Sequence, residues 1–347
     1  MSPPAPTAIA VGGGAASTVI QRAAGANRVG VPAGSVASPR ALTVQPLVHL
    51  ALVVVQLLFA SLAIAGRFVL PHFPAGALVT VRVLGATLVL LALNTMIGGR
   101  WVRDRRDLLR LAALGMLGIA ANQTLFLYGL KHTTAINATI LVTTVPVFTV
   151  LGSVLIGREP PSLLKFAGIA LAGLGAVYLI GPDRISLAPD VALGNALIVL
   201  GMICYATYFL YSKPVLSRYG SITVSFYVMF FASFGVLPFG LMDVREMTLP
   251  QISGTVWLWV AYIVVFPTIL TYLLNLWALK RVSSNLVAVY IYLQPLFAAA
   301  VAPLVLEGEH LTARAAVAGL AIFSGLALVI LAELRQHRQI PVEAVGE

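Results

Sequence analysis

The chain has 347 residues, of which 59% are hydrophobic and only 10% charged, and its mean hydropathy is +0.96. A soluble domain carries about 25% charged residues, so a purely water-soluble fold is excluded, and the lone Cys204 excludes an intrachain disulfide. The net charge of +10 does not mark a nucleic-acid binder, because the basic residues sit in short segments between apolar runs, where they act as topology signals.

In chain order, residues 1–45 are rich in Ala, Gly, Pro and Ser and contain no acid. Such a segment buries too little apolar surface to offset the entropy of ordering and is expected to be disordered. Its composition faintly resembles an organelle transit peptide, but a loose tail is the better reading. A membrane helix needs about 20 mostly apolar residues. That ruler places ten spans at about 47–68, 75–97, 108–130, 134–156, 163–181, 190–211, 221–241, 253–278, 284–306 and 314–333. The connections are short and marked by Pro, Gly or charge, as in "LPHFPAG", "GREPPS" and "GPDRISLAPD". With the N-terminus inside, sixteen Lys and Arg fall on the cytoplasmic side, five on the other, and Arg82 within a span. That excess predicts an even number of spans and both termini cytoplasmic, in an inner or plasma membrane.

Two stretches repeat each other. "LYGLKHTTAINATILVTTVPVF" starts at Leu127 and "LWALKRVSSNLVAVYIYLQPLF" at Leu276, and five positions are identical at an offset of 149 residues, including Lys131/Lys280 and Pro146/Pro295. A loop acid follows each proline, Glu159 and Glu309, and then a helix rich in small residues containing Gly168 or Gly319. Five spans separate the copies, so the second enters the membrane upside down. Halves related in this way can exchange tilts and so alternate the access of a midplane site, which is the logic of a secondary transporter. Packing alone is the competing use of such a duplication.

With its two five-helix halves, the junctions "YGLKHTTAINATIL…VPVF" and "WALKRVSSNLVAVY…QPLF", and the segments "GREPPSLLKFAGIALAGLGAVYL" and "EGEHLTARAAVAGLAIFSGLALV", the chain resembles the EamA family of the drug/metabolite transporter superfamily over residues 46–334. "NQTLFLYGL", from Asn122, looks like the plant members and their bacterial relatives. The resemblance implies an all-α integral membrane protein of ten transmembrane helices in two inverted repeats, 46–182 and 189–334, followed by a cytoplasmic tail, 335–347. It also implies that helices 1–4 and 6–9 surround a central cavity, while 5 and 10 lie outside and support a homodimer.

Every Asp and Glu falls in a loop, a tail or a helix end, and the five histidines form no ligand motif. A proton-coupled pump keeps an acid or His within the membrane for its relay. Its absence favours a facilitator or exchanger, and argues against membrane enzymes that use paired carboxylates. His49, Glu307 and Glu333 are expected near helix ends, where water solvates them. No metal or cofactor is implied. Arg82 lies about seven residues into its span, roughly 10 Å deep at 1.5 Å per residue. It reads either as an anion contact or as a side chain snorkelling to the headgroups. Gln56, Asn122, Gln123, Tyr205, Tyr208, Tyr272, Asn275, Tyr290 and Gln294 are the other candidate substrate-binding residues. Amides and phenols donate and accept bonds without the cost of burying charge, and they equally serve as interhelical ties. Pro146 and Pro295 are expected to kink matched helices, and Pro267 aligns with Gly118 as a second matched weak point. Gly168, Ala172 and Ala176 form a small-residue stripe for close packing.

These observations read as a membrane transporter of small organic metabolites, amino-acid-like or drug-like, exporting or exchanging by alternating access. A nucleotide-sugar or sugar-phosphate carrier of the same superfamily is the alternative, though it wants more cations than Arg82. A membrane-embedded enzyme is the rival from another class. The expected partners are a small-molecule substrate, the lipid bilayer and a second copy of the chain, with no nucleic acid.

Overall fold

The computed structural model describes residues 46–244, 252–305 and 313–338. Residues 1–45, Glu246, Glu307, Glu309 and the end of the C-terminal tail lie outside them. Among the described residues, ten helices are long and apolar enough to cross a membrane, as the apolar runs predict, and there is no strand. In chain order α1 is Pro46–Val69, α2 Ala75–Met96 and α3 Arg105–Lys131. Helix α4 comes in two pieces, Ala135–Val142 and Val145–Leu155, and α5 is Leu163–Ile180. The second half follows with α6 Ala192–Tyr211, α7 Ser221–Val244 and α8 Gly254–Leu279. Helix α9 runs from Ser284 through a 3₁₀ turn at Tyr290–Tyr292 to Val305, and α10 is Ala313–Arg338. A backbone in hydrocarbon must satisfy its own polar groups, which is why each crossing is helical. The end of the bundle at which α1 begins and α10 finishes is termed the near face, and the opposite end the far face.

The breaks in these helices obey the repeat. A six-residue π-helical turn interrupts α3 at Met116–Ala121 and α8 at Val265–Leu270, at the same 149-residue offset as the sequence identities. Both predicted weak points, Gly118 and Pro267, lie inside these turns. Pro267 has no N–H to give the Ile263 carbonyl, and the Thr268 hydroxyl donates to that oxygen instead, at 2.8 Å. In α4 the run-up to Pro146 is a tightened turn. Thr143 and Thr144 return both backbone and hydroxyl bonds to Ile140 and Leu141. In α9 the run-up to Pro295 is the 3₁₀ turn. The starts of α4 and α9 are capped alike: Thr134 Oγ1 accepts from Asn137 N, and Ser283 Oγ from Leu286 N. One unforeseen element, the short helix Lys213–Tyr219, follows α6. It begins where Pro214 sits in a first turn, a position that needs no intrahelical donor.

Helix α2 packs along α7, and α3 lies against α6 and α7. Helices α5 and α10 pack chiefly on each other. There a Cβ on Gly168 would come within 2.7 Å of the Gly325 carbonyl oxygen, and one on Gly325 within 2.5 Å of the Gly168 oxygen. Only glycine permits that approach, so the small-residue stripe seats α10. The outer side of this pair shows Leu163, Leu174, Leu320 and Phe323, all exposed, as a lipid-facing surface should.

Candidate functional site

Arg82 is the centre of the candidate site. It is only 7% exposed, which removes the snorkelling alternative, and its Nε donates to Thr268 Oγ1 at 3.0 Å. Thr268 can accept because its own proton is committed to the carbonyl released by Pro267. The π turn of α8 therefore orients a hydroxyl at the guanidinium of α2. Among the described residues no carboxylate pairs with Arg82. An arginine within a membrane helix is costly, by about 2.5–3.5 kcal/mol at the helix centre on insertion scales and less toward the ends, so the unmatched charge demands an explanation.

Near it stands Tyr272 of α8, with Gln123 of α3 beside the Tyr272 hydroxyl. Tyr205 and Tyr208 of α6 lie near Tyr272 and stack on each other, ring centroids 6.0 Å apart and nearly parallel. Gly118, in the α3 π turn, leaves room for Tyr208, whose Cβ lies 2.5 Å from where a Cβ on residue 118 would be. Asn275, one turn beyond Tyr272, is 4% exposed, and its Oδ1 accepts no hydrogen bond. Five of the candidates, Arg82, Gln123, Tyr205, Tyr208 and Tyr272, thus form one cluster drawn from four helices, with Asn275 beside it on α8. Thr268 was missed by sequence reading; a hydroxyl directly after a mid-helix proline was the available signal.

The remaining candidates are engaged elsewhere. Asn122 Nδ2 donates to the Gly201 carbonyl at 2.9 Å, tying α3 to α6. Gln294 Nε2 donates to Gln56 Oε1 at 2.8 Å, tying α9 to α1. The Tyr290 hydroxyl is hydrogen-bonded to His49 Nδ1 across the same helix pair, so His49 is not simply solvated at a helix end. Toward the far face, a cavity of about 550 Å³ opens between α2, α3 and α7, lined in part by Val79, Thr124, Tyr128 and Asp243. Val79 is one turn from Arg82 and Thr124 follows Gln123, so the floor of this cavity lies about one turn from the cluster. Asp243 Oδ2 accepts from the N–H groups of Gly76 and Ala77 at 2.8 and 3.2 Å, capping α2 from α7.

At the near face the structure corrects an expectation. Glu333 is not solvated at a helix end: it is 7% exposed and pairs with Lys165 Nζ at 2.8 Å. Lys165, itself 2% exposed, also binds Glu159 at 2.5 Å. Asn285 Nδ2 donates to Glu159 and to Ser153 Oγ, and Ser283 Oγ donates to Glu333. The cluster joins α4, the α4–α5 loop, α5, α9 and α10. Asp107 is likewise buried at the start of α3, held by Arg218 at 2.8 Å and Tyr219 at 3.0 Å. Among the described residues no three His, Cys, Asp or Glu side chains gather to hold a metal.

Comparison with known proteins gives concordant results. An uncharacterized transporter of Archaeoglobus fulgidus is 27% identical over 84% of this chain and 98% of its own. A probable terminal-alkyne amino-acid exporter of Streptantibioticus cattleyicolor is 28% identical over 83% and 95%. A crystal structure at 19% identity superposes with a TM-score of 0.69 over 83% of this chain and 98% of its own, a likeness of fold. The profile of the EamA-like transporter family matches residues 46–181 and again 192–331, one match to each five-helix half, and this multi-pass membrane protein therefore belongs to the EamA-like transporter family.

Proposed function

We propose that the protein carries small amino-acid-like solutes across an inner or plasma membrane by alternating access, as an exporter or exchanger, with the near face cytoplasmic. One observation carries the reading: Arg82, buried near Tyr272 and bonded to Thr268, has no acid among the described residues to neutralise it. A buried cation retained at that cost is matched by an anion that comes and goes, and a carboxylate fits a planar guanidinium. The acceptor left over on Asn275 suits the ammonium group of a zwitterion. The matched π turns supply paired flexible points on either side of the site, as exchange of tilts between inverted halves requires. The similarity to the probable terminal-alkyne amino-acid exporter of Streptantibioticus cattleyicolor supports the substrate class. A sugar-phosphate carrier would need further cations beside Arg82, and the cluster supplies none among the described residues.

The test uses purified protein in liposomes loaded with radiolabelled amino acids. Arg82→Gln is expected to abolish counterflow of carboxylate-bearing solutes, with Arg82→Lys keeping a fraction of it. Normal counterflow by a folded Arg82→Gln protein would refute the assignment.

A further inference from the structure

A second cavity of about 550 Å³ opens at the near face. Arg158, Lys213, Lys280 and Arg281 line it, and its acids are Glu159 and Glu333. Those two acids are already committed below, to Lys165, Asn285 and Ser283. Four basic groups thus line a pocket whose two carboxylates are already paired with a fifth, Lys165. The heads of the two arginines are pre-set without acids. Arg158 donates to the Leu210 carbonyl and lies over the Tyr211 ring, 4.9 Å from its centroid. Arg281 donates to the Trp277 carbonyl at 2.9 Å and lies 3.9 Å from the Trp277 ring centroid. Neither Lys213 nor Arg281 has a carboxylate oxygen within ion-pair distance among the described residues.

Basic residues at a cytoplasmic helix end serve topology in any membrane protein, and Arg158, Lys280 and Arg281 are exposed as such residues are, while Lys213 is half-buried. Here they converge from the α4–α5 loop, the end of α6 and the α8–α9 junction onto one pocket, with aromatic faces fixing two of them. Burial pushes the Lys213 ammonium below the usual lysine value, and Glu159 and Glu333 pull it partly back. An arriving anion would complete that compensation.

We propose that this pocket is a loading site for the carboxylate of a small organic anion or zwitterion, held by Lys213 and Arg281 before it reaches Arg82. The proposal rests on the reading of the cargo as carboxylate-bearing. It gives the protein two stations for one charge. Glu159 and Glu333 lie on the pocket wall with their charge already held by Lys165, which leaves Lys213 and Arg281 for the incoming carboxylate.

The test places a thiol in the pocket as Gln336→Cys, in a Cys204→Ser background, in full-length protein in phosphatidylcholine nanodiscs. Its reaction rate with an impermeant methanethiosulfonate is read with millimolar benzoate or with its neutral analogue benzamide. Benzoate is expected to slow labelling several-fold and benzamide not at all. Adding Lys213→Gln and Arg281→Gln should remove the protection, and Lys213→Arg should keep it. Equal labelling with and without benzoate, or equal protection by benzamide, overturns the proposal. So does protection by phosphatidylglycerol nanodiscs alone with no further benzoate effect, which would give the pocket to a lipid phosphate. Benzoate protection should survive Arg82→Gln. Normal counterflow by that variant would sink the cargo reading and leave the pocket's anion binding standing, whereas lost protection with Arg82-dependent counterflow intact would sink the pocket alone.

Discussion

The α5–α10 pair carries charge at both ends, and the two ends behave differently. Lys165 and Arg314 stand 149 residues apart, Asp183 and Glu333 150 apart, so the repeat places a basic and an acidic residue at each end. At the near face Lys165 and Glu333 are 2% and 9% exposed by side chain, with Glu159 joining them. At the far face Arg314 and Asp183 meet at 2.9 Å but are 34% and 62% exposed. Duplication therefore set the positions of the charges, while burial decided which of them matter to the fold. Removing one partner of a buried set leaves an uncompensated charge in low dielectric, whereas a wet pair is screened and contributes little.

The sharpest way to break this comparison is to remove one cation from each end. Lys165→Met should cost about 3–5 kcal/mol, because it removes the buried cation that holds both glutamates. Arg314→Met should shift the thermal unfolding midpoint in detergent hardly at all. Adding Glu159→Gln and Glu333→Gln to Lys165→Met should recover most of the loss, since a neutral set carries no desolvation penalty. Equal losses from the two single substitutions would end the distinction.

The π turns allow a second contrast between the halves. Gly118→Ala forces a methyl against Tyr208 and should cost about 1–3 kcal/mol, as overpacking does. Pro267→Ala, at the matching position, restores a donor and should change stability by less than about 1 kcal/mol. Guanidinium unfolding followed by tryptophan fluorescence measures both. A smaller contrast separates ties from site. Gln294→Ala breaks the amide pair with Gln56 and should lose about 0.6–2 kcal/mol together with some transport. Asn275→Ala removes an acceptor that holds nothing, so it should impair counterflow with little loss of folded protein. Normal counterflow in Asn275→Ala would make that amide a structural group only.

The smallest expected effects concern protons. The hydrogen bond from Arg314 holds the Asp183 carboxyl below the usual aspartate value. A carboxylate depressed in the folded state contributes above its unfolded value, near 3.9, and loses that contribution only as pH falls through the folded one. The difference between wild type and Arg314→Gln should therefore stay flat from about pH 5 to 8. In liposomes an imposed pH gradient should not drive uphill accumulation, because the near-face acids are held by Lys165. Ionophore-sensitive uphill uptake would overturn that and point to Glu333 and Glu159.

The ten spans, the inverted halves and the matched breaks were legible because apolar length and proline chemistry are local signals. Arg82 was legible because a lone charge in a hydrophobic run has few explanations. The near-face cluster was hidden for a physical reason. Lys165 and Glu159 look like loop charges beside "GREPPS", and Glu333 lies 174 residues beyond Glu159. Only the glycine crossing of α5 and α10 brings these charges together and takes them out of water. Asp243 was hidden likewise, since a cap supplied by another helix leaves no mark on the helix it caps. The division of the amides into ties and site depended on which neighbour each side chain met, and periodicity does not reach that far.

The contact between Gly168 and Gly325 has a mechanical side. The close approach runs on for two turns, since a Cβ on Gly175 would come within 2.9 Å of Ala321 Cβ and 3.0 Å of the Ala318 oxygen. Two helices touching at two points along their length can neither swing about one of them nor slide without losing both, so α5 and α10 form a stiff strut. The Lys165 cluster sits at one end of that strut and the Arg314–Asp183 pair at the other.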